Sequence, residues 1–582
     1  MLCEHCGQSW QAAVLEGWRL HHDPNFEATD ASVKMPIEGN PRRDLWKKLA
    51  WMAAESKHLD EYTKATVGIL CGHLKAAIVP LSNSWVDLLW AYLKVQIDIR
   101  VESEIRSCCI KNYIPLPDTY WNNKMTLEQI FDELSANKNP KVHADANTPV
   151  NIIQKYLILD DIPEMMKHMD SWLSTSTVDS QMLRFLTHVV LFMRQVGRHH
   201  QEDIADNVIK SYVDCLITMG ETQLVAFYTA ALPTDLQVEL YSKFLLTVHE
   251  TDARKVALEE GKGVGLDVHT ITCYTVQAVR NEQPAVQVKP LEGQINDFDA
   301  RKISILEWLT FNTEDRSELL WQTNAMIRIF LAESKIECVR STLKMVPHDS
   351  IQQIVVQFGS KDNLPYREEC SIKEYLCYQT YLGAIDGYNE WTRLYHKEPK
   401  EPQLASTHAN FTERIASEHK QTAFAYELER WKANLREQTK GITTKNYSPY
   451  FFLSNSIIFI VTKELLYNVL LFPDKGFLVD GEMDKPLKAE EYELNWKHRQ
   501  IQMENLRVIC IPEVVLLLHQ VLNLAGEYRE CIRLSDELAS EKRQLYKVYS
   551  KIKLAEIIAK ISESSLALMN EKFDPWGYSI AN

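Results

Sequence analysis

The stretch IPEVVLLLHQVLNLAGEYRECIRLSDEL, residues 511–538, decides how this chain folds. Val514, Leu518, Val521 and Ala525 recur at spacings of three and four, the pattern of a helix with one buried face. Gly526 interrupts the pattern, and Tyr528, Cys531 and Ile532 begin a second stripe of the same period. Glycine adopts the left-handed conformation that ends a helix without steric cost. The stretch therefore reads as two helices meeting at a corner.

The same corner recurs. Gly7 through Ala12, Gly72 through Ala77 and Gly526 through Cys531 each place a small residue five positions after a glycine, with a bulky apolar residue between. The bulky side chain fills the elbow and the small one lets the next helix lie close. This is the corner of an antiparallel helix pair, the unit of an α-solenoid. The spacing of the corners is irregular, so no tetratricopeptide or HEAT period is present. Elsewhere MLRFLTHVVLFMRQVG (182–197) carries Leu183, Leu186, Val190, Met193 and Val196 on one stripe, closed by Gly197. Thr126 with Gln129 forms a capping box before another helix. The fold class is all-α, an irregular α-solenoid of antiparallel helix pairs.

Composition agrees. The 582 residues exceed what one core can organise, and the 19 Gly and 21 Pro are only about 7% of the chain, against a usual ~12%. The formal charge of −15, with no dense basic run, argues against a nucleic-acid groove. Twelve scattered cysteines, several on apolar faces, and an opening that is no signal peptide indicate a reduced, cytosolic or nuclear compartment. The apolar run at 450–461 is broken by Ser-Asn-Ser and falls short of the ~20 residues of a membrane span. The chain thus reads as a soluble protein without a span.

Two polar segments read as joints. Residues 281–300 divide an N-terminal and central block (1–280) from a C-terminal tail block (301–582), and 396–409 reads as a long loop within the latter.

No catalytic constellation emerges. Cys3 and Cys6 offer one ligand pair, whereas a structural zinc takes four ligands and the adjacent His21 and His22 cannot both face one metal. Gly7, Trp10 and Ala12 are better read as a helix corner. GKGVG (261–265) lacks the preceding strand and the Ser or Thr of a phosphate loop, and reads as a turn. His199 and His200 read as a solvated loop. Asp160 and Asp161 sit at helix ends, where the dipole explains them. Neither a metalloprotease helix nor a nucleophile elbow is present, and no cofactor is implied. Of 14 Trp and 24 Tyr, single residues such as Trp85, Trp90 and Trp308 are best placed in a core; together they suit a protein whose work is contact.

Taken in order, several segments resemble one family. EGNPRRDLWKK (38–48), WVDLLWAYLKV (85–95), QKYLILDDI (154–162), LRFLTHVVLFMR (183–194), VAFYTAALPTDLQVELYSKFL (225–245), NAMIRIFL (324–331), LLYNVLLFPDKGFLVD (465–480), SEKRQLYKVYSK (540–551) and DPWGY (574–578) look like the α-helical nucleoporin of the 107-kDa class. That resemblance implies a fold-back solenoid of crown, trunk and tail, related to vesicle-coat scaffolds. It implies a structural subunit of the Y-shaped outer-ring complex of the nuclear pore, peripheral to the nuclear envelope. Pore assembly and nucleocytoplasmic transport, including mRNA export and protein import, follow from that role. The implied partners are the 96-kDa-class nucleoporin at the central region and the 133-kDa-class nucleoporin at the C-terminal tail. Metazoan complexes of the family also visit kinetochores.

Two departures stand out. Family members carry a long N-terminal extension, whereas this chain begins inside a helical pair, as a fragment or a gene model started at an internal Met would. KNYSPYFFLSNSIIFIVT (445–462) interrupts a segment that passes directly into the YNVLL helix in the family.

Such a rod needs apolar surface beyond its own core. Val514, Val515, Leu517, Leu518, Val521 and Leu522 cover more than one face after Pro512. The expected partner-interface residues are therefore Val514, Val515, Leu518, Leu522, Tyr528, Tyr546 and Tyr549. The competing classes are a soluble solenoid adaptor, or a coat-like scaffold outside the pore, and an enzyme on a helical scaffold. An adaptor would repeat groove residues, whereas these corners repeat packing residues. An enzyme would gather perturbed titrating groups in a pocket. The 445–462 segment reads as an insertion or retained intronic sequence. Transcripts joined across it would bear this out, and peptides covering 447–461 would refute it.

Overall fold

A computed structural model describes residues 2–25, 34–108, 112–175, 178–282, 295–360, 363–402, 411–443, 490–541, 544–570 and 574. Among these residues the architecture is all-α; the one extended contact is an isolated antiparallel bridge between His22 and Glu38. The chain forms two compact units, Met1–Cys215 and Leu216–Asn582. Within each, helices pack chiefly on their neighbours in sequence, as in a solenoid.

In the first unit α1 (Leu2–His5) turns through Gly7 into α2 (Ser9–Gly17), which lies on α3 (Arg43–Glu55). A β-carbon on Gly17 would stand 2.1 Å from Trp46 Cδ1, so glycine is required for this approach. α4 (Glu61–Cys71) starts at Asp60, whose carboxylate accepts from the Thr63 N–H at 3.0 Å. α5 (Leu74–Ile78), the long α6 (Trp85–Cys108) and α7 (Asp118–Asn122) follow. α8 (Leu127–Ser135) opens on the predicted capping box: the Gln129 N–H donates to Thr126 Oγ1 at 3.3 Å, and the Thr126 N–H to Gln129 Oε1 at 3.0 Å. α9 (Pro140–Ala146), α10 (Pro149–Leu159) and α11 (Ile162–Ser174) each carry proline in the first turn, where its missing N–H costs nothing. α12 (Ser180–Gln195) ends at Gly197, and the division between units falls inside α13 (Glu202–Met219).

A buried ionic cluster ties α3, α6 and α7 together. Lys47, fully buried on α3, is paired with Asp98 and Glu102 of α6, and its ammonium donates to the Tyr120 hydroxyl at 2.8 Å. Arg43 reaches Glu102 at 2.5 Å and Asp98 at 3.2 Å. Burial lowers the Lys47 pKa, partly offset by the two carboxylates. Burial alone would raise the Glu102 pKa, but Lys47 and Arg43 hold it below the usual range. Trp51, Val95 and Ile99 pack around the cluster.

In the second unit α14 (Thr222–Thr229), α15 (Thr234–Leu245), α16 (Thr251–Gly263) and α17 (Val268–Asn281) form a first layer. α18 (Asp297–Ser304) runs into a 3-10 turn (Ile305–Leu309) that packs on α17. The segment read as a linker, 281–300, is thus flanked by helices of one unit; residues 283–294 lie outside those described. Lys302 bridges its ends, donating to the carbonyls of Arg280 and Glu282 at 3.0 and 2.7 Å. Helices on either side pack on one another within the second unit, and the two units meet in sequence at 215/216.

α19 (Arg316–Ala332) is the hub: it touches α17, the 3-10 turn, α20 (Ile336–Met345), α21 (Ser350–Gln357) and α22 (Tyr366–Tyr395). α23 (Phe411–Thr443) runs between α22 and α24 (Glu490–Leu524). α25 (Tyr528–Ala539), a 3-10 turn (Leu545–Val548) and α26 (Lys551–Asn570) complete the unit. Residues 403–410 of the expected loop, and all of 445–462, lie outside the described residues. Lys497–Leu524, within α24, is long and apolar enough to cross a bilayer, but Leu506, Val514, Leu518 and Val521 are buried in this unit's core.

Replacing Lys47 with Met removes one side of a buried ion cluster and leaves two carboxylates short of a cation. Such changes cost about 3–5 kcal/mol. Thermal unfolding of the first unit should shift down accordingly, and an unchanged melt would show the cluster to be energetically neutral.

Candidate partner-docking surface

The corners behave as their glycines predict. Gly7, Gly72, Gly197 and Gly526 all have φ between +73° and +85°. At each, the next residue's N–H bonds the carbonyl five positions back, as from Glu527 to Leu522 at 2.9 Å. Ala77 and Cys531 are buried at the close approach that a small residue permits. Trp10 departs from expectation: it is exposed rather than seated in its elbow. GKGVG straddles a helix end, with Gly261 tight against Tyr241 and Val268, and Gly265 at φ +87°. Asp161 caps α11, accepting from the Glu164 N–H at 3.2 Å. Asp160, by contrast, sits at the C-terminal end of α10 with φ +61°, where the dipole disfavours a carboxylate. Its tolerance of the left-handed region and an ion pair with Arg198 hold it there. His199 pairs with Glu202 at 3.1 Å. Trp85 and Trp308 are core residues, but Trp90 is exposed. Among the described residues, no group of three or more His, Cys, Asp or Glu is placed to hold a metal.

The expected interface residues separate into two groups. Val514, Val515, Leu518 and Leu522 are buried within their own unit, at most 1% exposed. α24 is sandwiched here: α25 and α26 cover one side while α22 lies along another, Tyr388 donating to Gln520 Oε1 at 3.0 Å. Its broad apolar surface is consumed by these neighbours, so these four residues hold the tail together. His519 joins them, its Nε2 3.0 Å from Ser564 Oγ on α26. Tyr528 and Tyr549 are half-buried, and Tyr546 is exposed.

The outward apolar surface lies on α26. Ile557, Ile561, Ser564 and Leu568 face inward, whereas Ile552 (82% exposed), Leu566 (62%) and Met569 face out, with Ala555 and Ala559 exposed on the same helical stripe. Positions 552, 555, 559, 566 and 569 fall at spacings of three, four, seven and three on one helical stripe, interrupted by Ser562. The sequence masks this stripe. KIKLAEIIAKISESSLALMN interleaves two apolar phases, and alanines dilute the outer one. Val508 and Ile501 on α24 add further exposed apolar surface.

These are the features of a contact protein, and the comparisons say which kind. The family described as Nuclear pore protein 84 / 107 matches residues 1–565. The chain belongs to this family. Along its whole length this family member is 52% identical to the nuclear pore complex protein Nup107 of Drosophila melanogaster, of which it covers 67%. It is 37% identical over its full length to the Nup107 of Homo sapiens, spanning 60% of that protein. To the nucleoporin nup107 of Schizosaccharomyces pombe it is 25% identical, over 98% of this chain and 67% of that one. The nucleoporin chain thus spans about three-fifths to two-thirds of the relatives' lengths.

Leu518→Asp should unfold the tail rather than abolish docking on a folded tail. Truncating a buried leucine alone costs about 2–5 kcal/mol, and an unpaired buried carboxylate adds to that. Circular dichroism beside a pull-down would check this: helicity and binding are lost together.

Proposed function

We propose that this nucleoporin chain is a structural scaffold of the nuclear pore's outer ring, whose mechanism is helix-mediated docking of neighbouring nucleoporins. The observation that carries the reading is the outward stripe of α26 on a member of this family. A helix that is apolar on both sides has one face for its own core and one for a neighbour. The partner at this tail is the 133-kDa-class nucleoporin, and the 96-kDa-class nucleoporin engages the central region. Ile552, Leu566, Met569 and Tyr546 are the contact residues at the tail, with Tyr528 and Tyr549 at its margin. The work is geometric rather than catalytic: rigid helices hold neighbours in fixed positions, supporting pore assembly and the transport of protein and mRNA through it.

The double substitution Ile552→Asp with Leu566→Asp tests this. Exposed positions tolerate such changes within about 0.5 kcal/mol, so helicity and melting should be unchanged. Interface anchors are worth ~2 kcal/mol or more, so co-purification with outer-ring nucleoporins from nuclear envelopes should fall at least tenfold. Undiminished recovery would reject the α26 surface. A wild-type chain recovered as a lone monomer would reject the scaffold itself.

A further inference from the structure

Helix α24 is continuous in backbone but divided in chemistry. Its first half meets α19 and α22 through charge. Glu374 of α22 is fully buried and accepts from Arg499 Nε and Nη2 at 2.9 and 2.6 Å, from Arg328 of α19, and from the Tyr378 hydroxyl at 2.7 Å. Arg328 Nε also donates to Gln502 Oε1 at 2.7 Å. Met503 and Leu506 complete this contact. The second half meets α25 and α26 mainly through hydrocarbon, Val514, Leu518 and Val521, with one small polar contact at Ser564 Oγ, which accepts from Asn523 Nδ2 at 2.7 Å and lies 3.0 Å from His519 Nε2. It is also gripped from α22 by Tyr381 and Tyr388, which donate to Glu513 and Gln520 at 3.3 and 3.0 Å.

Between the halves, inside the helix, sits Pro512. Proline has no N–H for the carbonyl four residues back, and its ring crowds that carbonyl, so the helix is weakest there. The two halves also separate from their neighbours at different cost. Water entering behind the first half solvates Arg328, Glu374 and Arg499, returning what burial took from them. Water entering behind the second half meets mostly hydrocarbon, with only the small contact of Ser564 with His519 and Asn523 to solvate, and returns far less.

We infer that residues 497–511 form a strap that opens and closes about Pro512 while residues 513–541 and 544–570 stay folded, a local opening of the kind that makes stability uneven across a structure. When open, the strap uncovers a charged surface on α19 and α22; when closed, the Glu374 carboxylate fixes its register.

Hydrogen–deuterium exchange of the full chain at neutral pH, read by peptide, tests the strap. Amides of 500–511 should exchange at least tenfold faster than those of 514–524. Glu374→Gln should accelerate the first group tenfold or more and leave the second, and α26, within twofold. The triple replacement Arg328→Met, Glu374→Leu and Arg499→Met removes the gain from solvation and should slow the first group at least threefold. A single rate across both halves in the wild-type chain would overturn the inference. So would equal acceleration of both by Glu374→Gln, or faster exchange of 500–511 in the triple variant.

Discussion

A helix ends with four carbonyls that no downstream amide can reach, and a chain built from short helices meets this constraint repeatedly. Here one device answers it. Among the described residues, eight corners place a residue in the left-handed region and bond the following N–H to the carbonyl five positions back, at 2.7 to 3.2 Å. Gly7, Gly72, Gly197, Gly220, Gly265 and Gly526 serve at six of them, Asp160 and Ser334 at two. Because the bond both closes one helix and aims the next, the path of each unit follows from where these corners fall. The layers, the cores and the outward faces all inherit that path.

Where helices distant in sequence must meet, the chain uses charge. Lys47 with Asp98 and Glu102 joins residues about fifty positions apart; Glu374 with Arg499 joins residues 125 apart. Burial by itself would raise the Glu374 pKa, but Arg328 and Arg499 hold it down at about 2. Ion pairs of this kind contribute little net stability, since desolvation offsets attraction. Their geometry is demanding, however, and a helix that slides by one turn loses every bond at once. They set register where apolar packing would accept several.

What could be read in the sequence follows the same division. Gly526 and Gly197 announced corners because few residues other than glycine take that conformation freely. Asp160 and Ser334 make the same corner and gave no sign, since either is at home in any loop. The stripe through Val514, Leu518 and Val521 was legible as a helix face, but not what covers it: a face wider than one contact suits a sandwich and a docking surface equally. α26 hid its outer stripe behind Ala555 and Ala559, which count as neither core nor surface. The buried charges were the least legible, because a lysine such as Lys47 reads as solvated until tertiary contacts enclose it.

The pairing of α22 with α24 bears on how the protein is made. The two helices run parallel, Glu374 opposite Arg499 and Tyr388 opposite Gln520, so α22 leaves the ribosome long before its neighbour. At 5–20 residues per second, Glu374 waits roughly 6–25 s for Arg499. A hydrocarbon face left bare for that interval would invite wrong partners. A face carrying a carboxylate, a guanidinium and a phenol holds water instead, and so the nascent chain can wait for its own helix.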